Sequence, residues 1–400
     1  MRVLVAPDCF TGTLTAAGAA AAVAEGWRRH APSDELDLCP LSDGGPGFVE
    51  VLAGGLGGST LAVEVTGPLG EPAAATVLLA GGPAPAGDAA AAAGDAGLTA
   101  YVETAQACGL HLVPPGRRDP GPTTTAGVAG LLEAAREAGA RRIVVGLGGS
   151  GTNDAGAGLL AALAARAGLP VPAPVHARLT SGGAALAGTS SGDLAWLPAL
   201  VERWSGVELV VASDVDVPLL GFHGASAGFA EQKGATPEQA QALERCLGDL
   251  AVAALDALGR DRRGTATPGA GAAGGLGFAL QLLGARRVPG AQAVLDALDV
   301  PARMGRCDLV VTGEGRFDWQ SLRGKVVAAV AHAGLAAGTP VVVLAGQVDV
   351  GRREARSIGV QAAYPVATTD EEVATALADP AGTLAARAAR VARTWSPART

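Results

Sequence analysis

The chain has 400 residues, a formal net charge of −8, 49% hydrophobic residues and 17% charged residues. A single core rarely grows beyond about 250–300 residues, so two domains are expected. The acidic balance excludes the basic face that nonspecific nucleic-acid binding needs, and no uninterrupted apolar run of about 18 residues is present to span a membrane.

Aromatic residues make up only 3% of the chain, so the core must be built from Ala, Val and Leu, and the 59 glycines cluster in short polar loops suited to tight turns. Cys9, Cys39, Cys108, Cys246 and Cys307 are isolated and form no CxxC. This usage implies a reduced, cytoplasmic compartment, with neither a zinc site nor a disulfide framework. The apolar run Val3–Ala6 ends at Pro7-Asp8, too short for a signal-peptide core.

In chain order, mostly apolar runs predict strands at Val3–Ala6, Leu36–Leu41, Ile143–Leu147, Val207–Ala212, Leu309–Thr312 and Val341–Ala345. Near-continuous apolar strands suit a parallel sheet covered on both faces. Ala-rich helical segments lie among them at Ala16–Arg29, Val128–Ala138, Gly158–Ala167, Pro237–Leu258 and Lys325–Ala333. The alternation gives an α/β class. Leu61–Val65, Ala74–Leu79 and Thr99–Glu103 read as shorter strands of a mixed or antiparallel patch. Between the last two, Gly81–Gly97 is almost wholly Gly, Ala, Pro and Asp, and is expected to be a disordered loop. Arg260–Pro268 reads as a second soft stretch, and the tail after Arg393 as frayed.

Ligands of open α/β sheets bind beyond the carboxyl ends of the strands. The residues there are Asp8, Ser42-Asp43-Gly44-Gly45, the run Gly148–Asp154, Ser213–Asp216 and Gly313-Glu314-Gly315-Arg316. Any one such Asp is more often a helix cap or turn former. Five strand ends carrying acids to one sheet edge suggest a metal and a polar substrate. Gly146–Gly151 formally matches GxGxxG, but Leu159–Leu179 contains no acid to hold a ribose, which weakens a dinucleotide reading. The glycines can still offer backbone N–H groups to phosphate. Pro268–Gly275 is a second glycine-rich loop, with close helix packing as its alternative use.

Only two lysines, Lys233 and Lys325, stand against 28 arginines. A chain that writes its surface charge as Arg keeps Lys for other work, such as binding an anion; chance survival on the surface is the alternative. Walker A, HRD, DFG and GxSxG signatures are absent, and the five histidines show no ligand spacing. Phosphate loops, acidic strand ends and two selective lysines together point to phosphoryl transfer.

The blocks Ala6-Pro7-Asp8, Ser42–Gly45, Thr66–Gly70, Thr123-Thr124-Thr125 and Gly148–Gly156 run in one order along the chain. Asp214-Val215-Asp216, Gln232–Pro237, Pro268–Gly277 and Thr312–Arg316 follow, with Asp318, Gln320 and Gly324-Lys325 after them. In this series the chain resembles the bacterial glycerate kinases of the first, two-domain α/β family. The resemblance implies ATP-dependent phosphorylation of D-glycerate, at the 2-hydroxyl, with Mg²⁺. It also implies a Rossmann-like parallel-sheet domain from both chain ends (1–60 and 295–400), a second α/β domain inserted from the middle (61–294), and an active site in a cleft between them. Departures from the family pattern are Cys9 and Thr11 where Ser and Lys are usual, Pro46 for Glu, Val217 for Asn and Trp319 for Gly.

Phosphoryl transfer asks a site to align donor and acceptor and to neutralise charge. The expected nucleotide contacts are Gly44, Gly45, Gly148, Gly149, Ser150, Gly151, Glu314 and a helix beginning near Asn153. Lys233 and Lys325 would offset phosphoryl charge. Asp214 and Asp216 would share a face of an extended segment and hold Mg²⁺, unless a turn splays them apart. Asp8 or Asp43 would accept the hydroxyl proton. Arg316 would grip the substrate carboxylate, or else pair with Glu314 or Asp318. Thr11 and Pro46 leave open a kinase of another small hydroxy acid, and a non-catalytic nucleotide-binding relative is the reading from another class.

Overall fold

The computed structural model describes residues 1–10, 12–81, 97–322 and 324–396. Thr11, most of the loop expected over 81–97 and the last four residues of the expected frayed tail lie outside them. The chain divides into two compact units, one of residues 1–43, 50–56 and 289–400, the other of residues 44–49 and 57–288.

Among the described residues the strands are β1 (Arg2–Val5), β2 (Glu35–Leu38), β3 (Ser59–Thr66), β4 (Pro72–Ala80), β5 (Thr99–Glu103), β6 (Arg142–Gly146) and β7 (Glu208–Ala212). β8 (Arg286–Val288), β9 (Leu309–Thr312), β10 (Arg316–Phe317), β11 (Val341–Ala345), β12 (Gln347–Val348) and β13 (Val360–Pro365) follow.

In the first unit a parallel sheet runs β13-β11-β9-β1-β2. Successive side chains of a strand point to opposite faces, and the core splits accordingly. Val342 and Leu344 join Val3, Val5 and the helices Ala16–His30 and Pro380–Trp395. Val343 and Ala345 instead meet Val327, Ala328 and Ala331 of the helix Val326–Ala337. The two helices of the first layer approach closely because Gly26 has no side chain: a Cβ there would lie 2.0 Å from the Ala385 carbonyl oxygen. Thr15 starts its helix by accepting from the Gly18 N–H. The last helix continues past Arg393 to Trp395, so its Ala/Arg pattern extends order beyond the expected point of fraying.

The second unit holds a six-stranded sheet ordered β3-β4-β5-β6-β7-β8. β3, β4 and β5 pair antiparallel, whereas β5 through β8 pair parallel, in keeping with the mixed patch read from the sequence. One core joins this sheet to the helices Val128–Glu137, Ala157–Arg166, Leu197–Trp204, Pro237–Ala257 and Leu276–Leu282. Two expectations are corrected. The stretch Arg260–Pro268 is ordered: Arg260 donates to the Leu282 carbonyl and Asp261 caps a 3₁₀ turn over Arg262–Ala266. The five acidic strand ends, read as one sheet edge, belong to two sheets, because β1, β2 and β9 pair in one unit and β6 and β7 in the other.

Candidate active site

In the first unit the backbone N–H of Asp8 donates to the Gly313 carbonyl, 2.8 Å away, tying the exit of β1 to that of β9. β2 stops at Leu38, but Cys39 and Leu41 keep donating to Val5 and Pro7, which carries the chain on beside β1 toward Asp43. Asp8, Asp43 and Glu314 thereby act on one another. Burial pushes Asp8 up to about 7, Asp43 and Glu314 push the same way, and the Cys9 N–H on its Oδ1 opposes them. Burial likewise raises Glu314 to about 7; Ser321 and Lys325 pull it down, and Asp318 and Asp43 push it up. Glu314 is buried, and its Oε1 has no hydrogen-bond partner among the described residues. Lys325 stands at the N-cap of the helix Val326–Ala337, near enough to act on Glu314.

Arg316 is paired outside this cluster through its Nε. Its Nε donates to Asp349 at 2.6 Å across the β10–β12 pair, so neither Glu314 nor Asp318 is the partner expected from the sequence. Asp318 instead accepts from the Gln320 N–H and closes a tight turn that leaves Trp319 exposed.

In the second unit the run Gly148–Gly151 is a turn after β6, and only part of it can receive an anion. Gly148 donates to the Gly44 carbonyl and Gly151 to the Cys108 carbonyl. The amides of Gly149 and Ser150 have no protein acceptor among the described residues, and Gly149 is exposed with φ +74°. Gly44 and Gly45 are buried and closely packed. A Cβ on Gly44 would sit 2.6 Å from the Ala212 carbonyl, and one on Gly148 2.3 Å from the Gly45 Cα. Pro46 lies over Gly149, whose added Cβ would meet its ring at 2.8 Å.

The helix expected near Asn153 begins at Ala157, and its N-terminus is already satisfied. Asp154, fully buried, accepts from the N–H groups of Gly156 (3.0 Å) and Gly158 (3.3 Å) and from the N–H and hydroxyl of Thr125 (both 2.9 Å). Burial raises its pKa, and those donors pull it back. A carboxylate of the chain itself thus occupies the place expected for phosphate. Thr123 ties its hydroxyl to the Gly151 carbonyl, and Asn153 donates to Ser226 at 3.0 Å. The loop Pro268–Gly275 backs this network. A Cβ on Gly274 would come within 2.0 Å of the Thr152 carbonyl, so the loop's use is close packing.

For Lys233 the alternative of chance survival on the surface does not hold, because the residue is buried. It is 2% exposed and ends a 3₁₀ turn, after which Gly234 reverses the chain at φ +102°. Its Nζ donates to the Ser150 hydroxyl at 3.1 Å and to the Thr152 carbonyl at 2.7 Å. Burial lowers its pKa to about 8 against the pull of Cys108 and Asp154.

Asp214 and Asp216 follow β7 in a segment that is neither helix nor strand. Asp214 is half-buried at a bend where Val215 donates to the Ser213 hydroxyl, and Asp216 is exposed. Their donors are hard carboxylate oxygens, the type that Mg²⁺ takes in ones and twos alongside phosphate oxygens and water. Among the described residues no cluster of three or more His, Cys, Asp or Glu could hold a metal alone.

Sequence reasoning missed Glu103. It ends β5, is buried, and accepts from the N–H groups of Gly47 (3.1 Å) and Val49 (3.3 Å), fixing the segment that carries Gly44 and Gly45. The only signal was an acid at a strand end, the same signal used for the others.

The Glycerate kinase family profile matches residues 3–396. The chain is 38% identical over 367 residues to a glycerate kinase of Bacillus subtilis, covering 92% of this chain and 90% of that one. It is 37% identical over 372 residues to a glycerate 2-kinase of Escherichia coli, covering 92% and 91%. A crystal structure bearing the name glycerate kinase 2, from Salmonella typhimurium LT2, superposes with a TM-score of 0.73 at 35% identity over 98% of both chains. The chain belongs to the glycerate kinase family, and is therefore an enzyme that transfers a phosphoryl group. Kinases of this class use ATP.

Proposed function

We propose that the protein phosphorylates D-glycerate at its 2-hydroxyl with ATP, releasing ADP. The observation that carries this reading is the gathering of Asp8, Asp43 and Glu314 where the exits of β1 and β9 are tied together, with burial and the other two acids pushing Asp8 up to about 7. A base poised near working pH takes a proton from an alcohol most effectively. The glycerate hydroxyl oxygen bonds to the γ-phosphorus, the bond to the bridging β–γ oxygen breaks, and the hydroxyl proton passes to Asp8. Asp43 and Glu314 keep Asp8 basic, and Lys325 offsets charge on the moving group. The Gly149 and Ser150 amides receive phosphate oxygens, and Pro46 beside them adds no negative charge.

The two terminal nitrogens of Arg316 are assigned to the substrate carboxylate, since Asp349 engages its Nε. Asp214 and Asp216 would hold Mg²⁺, which when bound supplies charge neutralisation at the phosphates. No helix among the described residues is long and apolar enough to cross a membrane, and no disulfide joins the cysteines, which supports a cytoplasmic place for the enzyme.

The test is ADP release over a panel of small hydroxy acids, with phosphorus NMR of the product. D-glycerate should be the preferred acceptor and 2-phosphoglycerate the product. Faster turnover of another hydroxy acid, or a 3-phosphorylated product, would overturn the assignment.

A further inference from the structure

We propose that Lys233 is a positioning residue that aims the Ser150 hydroxyl proton at an anionic oxygen of the bound substrate, either a nucleotide phosphate or the glycerate carboxylate. The inference rests on the function above and deepens it, because it assigns a donor and the device that orients it.

A lysine ammonium carries three donors and no acceptor. Lys233 Nζ lies 3.1 Å from Ser150 Oγ, so toward the lysine that oxygen can only accept. The Ser150 hydrogen must then go to another acceptor, and among the described residues no protein group takes it. Ser150 is 8% exposed, so bulk water does not easily satisfy it, while its neighbour Gly149 opens to solvent. The hydroxyl and the uncommitted amides of Gly149 and Ser150 therefore form a three-donor set on one turn. Lys233 is itself held in place by the Thr152 carbonyl at 2.7 Å.

The geometry implies a switch. Once Lys233 loses its proton it keeps two N–H donors but gains a lone pair, so it no longer obliges the Ser150 oxygen to accept; the Ser150 hydrogen is then free to turn inward, and the turn loses its fixed donor. The titratable groups acting on Lys233 are Cys108, at the end of the helix Ala105–Cys108, and Asp154, ahead of the helix Ala157–Arg166; both favour its charged form against burial. The ammonium is thus present below pH about 8 and is lost as pH rises through it.

The experiment is calorimetric binding of ATP alone and of D-glycerate alone, at pH 7 and pH 9, to the full chain and to Ser150→Ala and Lys233→Met. The unsubstituted protein should bind one of the two ligands roughly tenfold more weakly at pH 9, the loss expected for one hydrogen bond to a charged group. Ser150→Ala should bind that same ligand equally weakly at both pH values, although its lysine is intact. The affected ligand identifies the oxygen, phosphate if ATP and carboxylate if glycerate. Lys233→Met should match Ser150→Ala; if it fails to fold, Ser150→Ala decides alone. A Ser150→Ala protein that keeps full affinity and its pH dependence would overturn the inference while leaving the function standing. An unsubstituted protein that binds neither ligand would overturn the function and this inference with it.

Discussion

Asp8 and Glu314 carry the same kind of charge in the same neighbourhood, yet they are held differently. Asp8 has an N–H of Cys9 on one oxygen and remains half-buried, so it can both lose a proton and meet an alcohol. With its pKa at about 7, the ionised form grows as pH rises, so kcat/KM should fall on the acid side of neutrality. Asp8→Asn should lower kcat by about 10²–10⁴-fold and abolish that acid limb, checked by a pH–rate profile. Glu314 should instead report on stability. Its folded pKa, about 7, lies above the unfolded value of about 4.3, so it favours folding below pH about 4 and that contribution is lost as pH rises to 7. Glu314→Gln should therefore raise the melting temperature at pH 8, by the equivalent of about 1–3 kcal/mol, with no gain at pH 4. Arg316→Ala should raise the KM for glycerate well above any change for ATP in steady-state kinetics, and equal changes would reject its carboxylate role.

At the scale of elements, the Gly148–Gly151 turn is stiff because several segments hold it by backbone contact. Gly274 is the most exacting of these contacts, with positive φ and a carbonyl where a Cβ would go. Gly274→Ala should cost about 1–3 kcal/mol in denaturant unfolding and depress kcat, since Thr152 and Asn153 must move to admit the methyl. The same scale shows what the sequence made readable. Thr99–Glu103 and Val341–Ala345 stand as expected, because apolar runs bounded by turn residues leave little choice. β8 went unseen because Arg286 and Arg287 occupy two of its three positions. β13 went unseen because an edge strand, VQAAYP, needs little apolar surface. Within the site, the acidic strand ends and glycine turns were legible as residue types. Whether a lysine is buried depends on partners such as Ser150, 83 residues away in sequence, which no local pattern reports; the Asp154 cap on Gly156 and Gly158 is local, and only its bonds to Thr125 reach 29 residues back.

For the molecule as a whole, the α/β class and the order of the blocks followed from alternation and motif spacing. The assignment of strand ends to two sheets did not, because pairing partners are set by tertiary packing. ATP at about 100 times its Kd should stabilise the protein by about 2.7 kcal/mol, read as a rise in melting temperature; no shift would mean no nucleotide is bound. The scarcity of lysine has a practical side. Lys233 is sealed inside the second unit, and the N-terminal amine is paired to Asp34 at 2.7 Å. Acylating reagents should therefore mark Lys325 first, so a single mass increment on one peptide becomes a footprint of whatever occupies the neighbourhood of Glu314.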